Sequence, residues 1–169
     1  MGKKVMLALV AALFGAASGF CGSLSFHVIQ HNDSLSEVCE SALVIEDEIL
    51  NYFYDAGYIV TNVPASVSKS DEQDKKLYQN GVNEAAGSAF DKFVQIKLYF
   101  TGDETQNTAV ALGNMKRISW KVVSVRTGAV LEEGAQEVTT DVAVDNEKNV
   151  RKFAGDFAVH LNKVLAKRA

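Results

Sequence analysis

The stretch at residues 92–100, KFVQIKLYF, constrains the fold of this chain most. Val94, Ile96, Leu98 and Phe100 fall on one face of an extended strand, and Phe93, Gln95, Lys97 and Tyr99 on the other. Successive side chains of a strand point to opposite sides, so this alternation predicts one face buried beneath helices and one face wetter. The rest of the chain must supply those helices and the neighbouring strands.

Residues 24–31, LSFHVIQH, read as a first strand rich in β-formers. Asn32, Asp33 and Ser34 break it and offer helix caps. Val38, Ala42, Ile45, Ile49, Phe53 and Ala56 then recur at spacings of three and four, the apolar face of an amphipathic helix. Gly57 stops that helix. Residues 58–63 read as a second strand, and 64–69 as a loop opened by Pro64, the single proline. Ser70-Asp-Glu-Gln73 is a capping box for a second helix running to about residue 90. After the strand at 92–100 comes a polar turn, then a strand region over about 108–126, a hairpin turn at Thr127-Gly128 and a returning strand over about 129–140. Asp145 can cap a last helix with Val150, Phe153, Phe157, Leu161 and Val164 as its apolar stripe. The expected fold is α+β, in the order β-α-β-α-β-β-β-α. A mixed sheet is covered by helices mainly on one face.

The first residues carry a different signal. Lys3 and Lys4 precede the apolar run VMLALVAALF at 5–14, followed by the small residues GAASG at 15–19. Basic head, apolar middle and small-residue exit form a secretory signal peptide. The run is about ten residues, against roughly 20 for a membrane-spanning helix. The chain therefore divides into a signal peptide at 1–19 and a single domain at 20–169. Small residues also permit cleavage before Gly19 or Gly22. A lipoprotein reading makes Cys21 the lipid-modified first residue, although bulky Phe20 stands where such a signal wants a small side chain. Lipidation of Cys21 would associate the protein with a membrane. If Cys21 stays unmodified, it can pair with Cys39 and close a loop of about 18 residues, worth roughly 3 kcal/mol by the loop-entropy model. Otherwise Cys39 is a small buried hydrophobe.

Charge limits the partners. The chain has 17 basic and 21 acidic residues, and loss of Lys3 and Lys4 would bring the net charge from −4 to near −6. An acidic chain with scattered basic pairs is a poor ligand for phosphate backbones, so nucleic acid is excluded as a partner. The search for chemistry finds no catalytic constellation, and no cofactor or metal site is expected. His27 and His31 stand four strand residues apart, about 13 Å, too far to share one ion. His160 reads as an edge residue of the last helix. Glu46, Asp47 and Glu48 point apart on a helix. Asp71, Glu72 and Asp74 read as first-turn charges favoured by the helix dipole. Asp103 and Glu104 lack the spacing of a calcium loop. Aromatics are better candidates for recognition: Tyr54, Phe93 and Tyr99 are the expected partner contacts.

The strand–turn–strand WKVVSVRTGAVL at 120–131, with AFDKFVQIKL at 89–98 before it, resembles bacterial envelope domains of the TolB amino-terminal, LpoB and CsgG type. The glycine usual before the third strand is displaced, with Asp91 and Lys92 in its place. The resemblance implies an exported, non-enzymatic module of the periplasm that docks on other envelope proteins, and carries over no catalytic residue. Two further readings stand beside it. A small-ligand or lipid-binding protein would show a sizeable apolar cavity between sheet and helices. A hydrolase would show a buried histidine or carboxylate pair in a cleft.

Overall fold

The computed structural model describes residues 22–32, 34–101, 110–139 and 145–166. The expected signal peptide at 1–19, Cys21, Asp33 and the expected turn at Asp103-Glu104 lie outside the described residues. The elements are β1 (Ser23–His31), α1 (Glu40–Asp55), β2 (Ile59–Ser68), α2 (Asp71–Gly87), β3 (Lys92–Phe100), β4 (Met115–Ser124), β5 (Val130–Glu137) and α3 (Glu147–Ala166). The order matches the α+β expectation. The strands form one mixed sheet in the order β2-β1-β3-β4-β5. β1 is parallel to β2 and β3, and β3-β4 and β4-β5 are antiparallel.

The topology explains the distribution of helices. The chain steps outward from β1 to β2 through α1, then back past β1 to β3 through α2. Crossovers of one hand that travel in opposite directions must use opposite faces of the sheet. α1 and α3 pack on one face, where Phe26, Ile45, Phe53, Ile96, Ile118 and Leu161 join the main core. α2 lies on the other face, where Ala85 meets Phe93 and Val123. Two helices on one side and one on the other keep the cover mainly on one face.

Local chemistry sets the boundaries. Gly57, at φ +86°, ends α1: Tyr58 N–H donates to the Phe53 carbonyl and Gly57 N–H to that of Tyr54, both at 3.0 Å. α2 ends in the same hydrogen-bond pattern one turn before the expected limit, but with Ala89 in the left-handed position at φ +57°. Ser70 caps α2 by accepting from Gln73 N–H, and Gln73 Oε1 accepts from Lys69 N–H rather than from Ser70. Gly128, at φ +68°, forms the β4–β5 turn.

Three expectations are corrected. The loop at 64–69 is instead strand through Ser68, because β2 is an edge strand with a register shift opposite Val28. At such a bulge Pro64 leaves no ladder bond unmade. The strand region at 108–126, with its expected bend at Gly113-Asn114, resolves over the described residues into a turn at 110–114 followed by β4 at Met115–Ser124. Asp145 does not cap α3; its carboxylate accepts from Leu112 and Gly113 N–H at 2.7 and 2.5 Å, while Asn146 Oδ1 accepts from Asn149 N–H.

Two substitutions test these packing statements with opposite signs. A Cβ at Gly81 would run into the ring of Phe93, so Gly81→Ala should destabilise by about 1–3 kcal/mol. Ala89→Gly relieves the left-handed alanine and should stabilise by about 1 kcal/mol. Urea denaturation midpoints at constant slope read both changes.

Candidate functional site

α2 covers only part of its face of the sheet. Beyond its edge, α2 and strands β3, β4 and β5 bound a half-open groove of about 540 Å³. The register fixes its floor. Tyr99 stands opposite Arg117, Gln95 opposite Lys121, and Lys121 opposite Glu133. Ser119 and Ala135 are the short side chains between. Asp74 and Tyr78 form the α2 wall.

Asp74 is the buried charge of this region, its side chain 5% exposed. Its Oδ2 lies 3.2 Å from His31 Nδ1 and 3.1 Å from Lys97 Nζ. Its main-chain carbonyl accepts from Gln95 Nε2 at 3.2 Å. Among the described residues its Oδ1 has no hydrogen-bond partner. One carboxylate thus joins α2 to both β1 and β3. Partial burial works against the charge of Lys97, but Tyr99 and Asp74 outweigh it and raise the pKa. The Tyr99 ring is the hub of the floor. The His31 ring lies 5.1 Å away, and Lys97 Nζ and the Arg117 guanidinium each lie 5.4 Å from its centroid. Lys121 sits 5.3 Å from the Tyr78 ring and 3.4 Å from Glu133.

The sequence reading missed the Asp74 arrangement. A first-turn charge and a strand histidine 43 residues apart carry no local signal of pairing. The exchange of a glycine for Asp91 has a visible role. Asp91 Oδ2 accepts from the main-chain N–H and the hydroxyl of Ser23 at 3.0 and 2.8 Å, tying the starts of β1 and β3. Those bonds hold its carboxyl below the usual carboxylate range.

The expected partner contacts separate. Tyr99 is half-buried on the groove floor. Tyr54 is 74% exposed on α1, remote from the groove elements. Phe93 is corrected: α2 packs over this end of β3, and the ring is fully buried against Ala85, Val123 and Tyr78. Cys39 precedes α1 as a buried thiol whose pKa burial raises. Its pairing partner in the disulfide reading, Cys21, lies outside the described residues.

Among the described residues His27 and His31 belong to two separate polar pairs. His27 Nε2 lies 2.8 Å from Ser66 Oγ, but the ring is buried and, among the described residues, no carboxylate is bonded to its Nδ1. His31 has its carboxylate, Asp74, and among the described residues no hydroxyl is bonded to its ring. A serine with a base and a base with an acid are thus two separate pairs, not the single serine–histidine–carboxylate line of a catalytic triad. His160 lies at the β5–α3 rim, 3.4 Å from Glu132, beside the ring of Trp120. Among the described residues, no group of three or more potential ligands could hold a metal ion, and no helix is long and apolar enough to cross a membrane.

A family model described as "Uncharacterised protein" matches residues 23–163. No curated protein matches the chain. Among solved structures the chain is similar to the hypothetical protein CT253 from Chlamydia trachomatis. The identity is 9%, over 86% of this chain and 98% of that one, with a TM-score of 0.55. It is also similar to TolB from Acinetobacter baumannii, at 8% identity over 86% of this chain and a TM-score of 0.47; it spans 28% of the TolB chain. The LpoB C-terminal domain from Salmonella enterica matches at 16% identity over 80% of this chain and 96% of that domain, with a TM-score of 0.41. The expected likeness to TolB and LpoB domains is therefore found, as a likeness of fold.

His27 gives the region a measurable pH dependence. Burial pushes its pKa from 6.5 down to about 4, weakly opposed by the nearby Pro64 carbonyl. Between those values the unfolded chain holds the extra proton, so stability is complete above pH 6.5 and is lost as pH falls toward 4. The shift corresponds to about 3 kcal/mol across the window. His27→Gln should flatten the stability–pH curve there; parallel curves for the two proteins would contradict the assignment.

Proposed function

This chain belongs to the family matched over residues 23–163, and from that premise we propose that it is an exported, non-enzymatic accessory module docking another protein of the cell envelope. The observation that carries the reading is the groove beside α2. A sheet face that a third helix leaves uncovered, floored by a braced tyrosine and three cations, is a surface for recognition. The signal-peptide pattern at 1–19 supports a location outside the cytoplasm for that surface. The separated histidine pairs favour a binding role over a hydrolytic one.

Both neighbouring readings lose support. The described grooves open to the surface, whereas a lipid carrier needs an enclosed apolar cavity. The hydrolase reading gains a buried histidine and a His–Asp pair, but among the described residues no nucleophile is bonded to that pair. The disulfide reading is weakened by reach. Cys39 N–H donates to Gln30 Oε1, seven residues along β1 from Ser23, about 23 Å of strand. A bridge needs the two Cα atoms within about 7 Å. Cys21 is then better read as a free thiol or a lipid attachment point.

The test places a photoreactive phenylalanine analogue, which keeps an aromatic ring over the groove floor, at position 99 and exports the protein in a bacterial host. Irradiation should capture one envelope protein reproducibly, in amounts reduced by substitutions on the groove floor. A probe at Tyr54 tests the second expected contact. Equal capture from both positions, or none from 99, would overturn the docking assignment. The mass of the exported chain should begin at Phe20, with an acylated Cys21 as the lipoprotein form. A chain retaining Met1 would contradict export.

A further inference from the structure

We propose that the groove receives an extended acidic peptide segment of the partner, with Arg117 as the carboxylate anchor. This deepens the docking reading above and rests on it. The groove is lined by Lys75, Lys97, Arg117 and Lys121, and by the carboxylates Asp71, Asp74 and Glu133. Two of those carboxylates are already engaged. Asp74 is buried and bound by Lys97 and His31, and Glu133 is paired with Lys121. Arg117 differs from the other groove cations that face the sheet. Among the described residues it makes no ion pair, although Glu137 stands opposite it in the β4–β5 register.

What holds Arg117 is Tyr99. The guanidinium carbon lies over a ring, 5.4 Å from its centroid, that His31 and Lys97 brace from β1 and β3. Stacking restrains the planar group but uses none of its N–H donors. The fork that remains matches a carboxylate with two parallel hydrogen bonds. The chain as a whole is acidic, at −4, so an unpaired and restrained arginine is local complementarity set against the molecule's own field.

The spacing favours a peptide over a single small anion. Arg117, Ser119 and Lys121 point from the same face of β4, and four strand residues separate the two cations by about 13 Å. Ser119 and Ala135 keep the floor low between them. An extended chain lying along β4 presents side chains of one face at the same period, so acidic residues four apart would meet Arg117 and Lys121 together. Lys121 would then exchange its exposed partner Glu133 for the ligand, a small loss because that ion pair is in solvent.

The experiment is fluorescence anisotropy with labelled hexaglutamate and hexaglutamine peptides and the purified, processed chain. Hexaglutamate should bind saturably, weaken as salt rises, and bind about tenfold less tightly to Arg117→Glu. Arg117→Lys, which keeps the charge and loses the fork, should fall between. Arg117 is exposed, so its variants should keep the wild-type melting temperature; a Tyr99→Leu variant removes the brace and should weaken binding with Arg117 intact. Hexaglutamate that fails to bind, or that binds Arg117→Glu as tightly as wild type, overturns the proposal. So does binding of anionic phosphatidylglycerol vesicles without hexaglutamate, which would assign the face to lipid. Capture through position 99 with no hexaglutamate binding would sink the acidic-peptide assignment and leave docking standing. Failure of both would remove docking as well.

Discussion

The groove depends on one buried carboxylate. Asp74 comes from the first turn of α2 and reaches two parallel strands at once, through His31 on β1 and Lys97 on β3. Charges taken out of water are costly unless paired, so this contact admits few alternative seatings of the helix. The other contacts at this end of α2 are hydrogen bonds, from Gln95 Nε2 to the Asp74 carbonyl and from Gln73 Nε2 to the Val67 carbonyl. Its apolar contacts, Ala85 against Phe93 and Val123, lie toward the opposite end of the helix. Apolar packing fixes one end of α2 and charge fixes the other. The floor cations and Tyr99 are then positioned by a wall that does not slide.

The same arrangement divides the molecule's labour. The face under α1 and α3 is closed by large apolar side chains, and Tyr58, Asn162 and Tyr52 form a hydrogen-bonded chain between those helices. Substitution there acts through packing and stability. The α2 face is different. Rows of alternating side chains across β1, β3, β4 and β5 place His27, Gln95, Lys121 and Glu133 side by side, and His31, Tyr99, Arg117 and Glu137 in another row. A polar face of this kind contributes little to the core, so its composition is free to serve recognition. Burial of His27 and exposure of Arg117 on one face show how α2 grades that surface from sealed to open.

Much of the architecture was legible because the relevant signals are local. The alternation at Lys92–Phe100, the apolar stripe of Ala42, Ile45, Ile49 and Phe53, and the turns at Gly57 and Gly128 each depend on residues close in sequence. What escaped depends on partners far away. Pro64 reads as a loop residue until β2 is known to be an edge strand with a bulge. Asp145 reads as a helix cap until the 110–114 turn arrives to take its carboxylate. Phe93 shares a face with Tyr99, yet one lies beneath α2 and the other beyond it, a distinction that strand periodicity does not contain. Asp74 and His31 were both noticed singly; only the crossover of α2 past β1 brings them together.

The central claim is that the partner meets the open end of the α2 face. Nuclear magnetic resonance of the isotope-labelled, processed protein, titrated with the captured partner, tests it most directly. The account predicts chemical-shift changes concentrated at Lys97, Tyr99, Arg117, Ser119 and Lys121, with the α1 surface around Tyr54 unmoved. Changes confined to α1, or to the outer edge of β2, would contradict it.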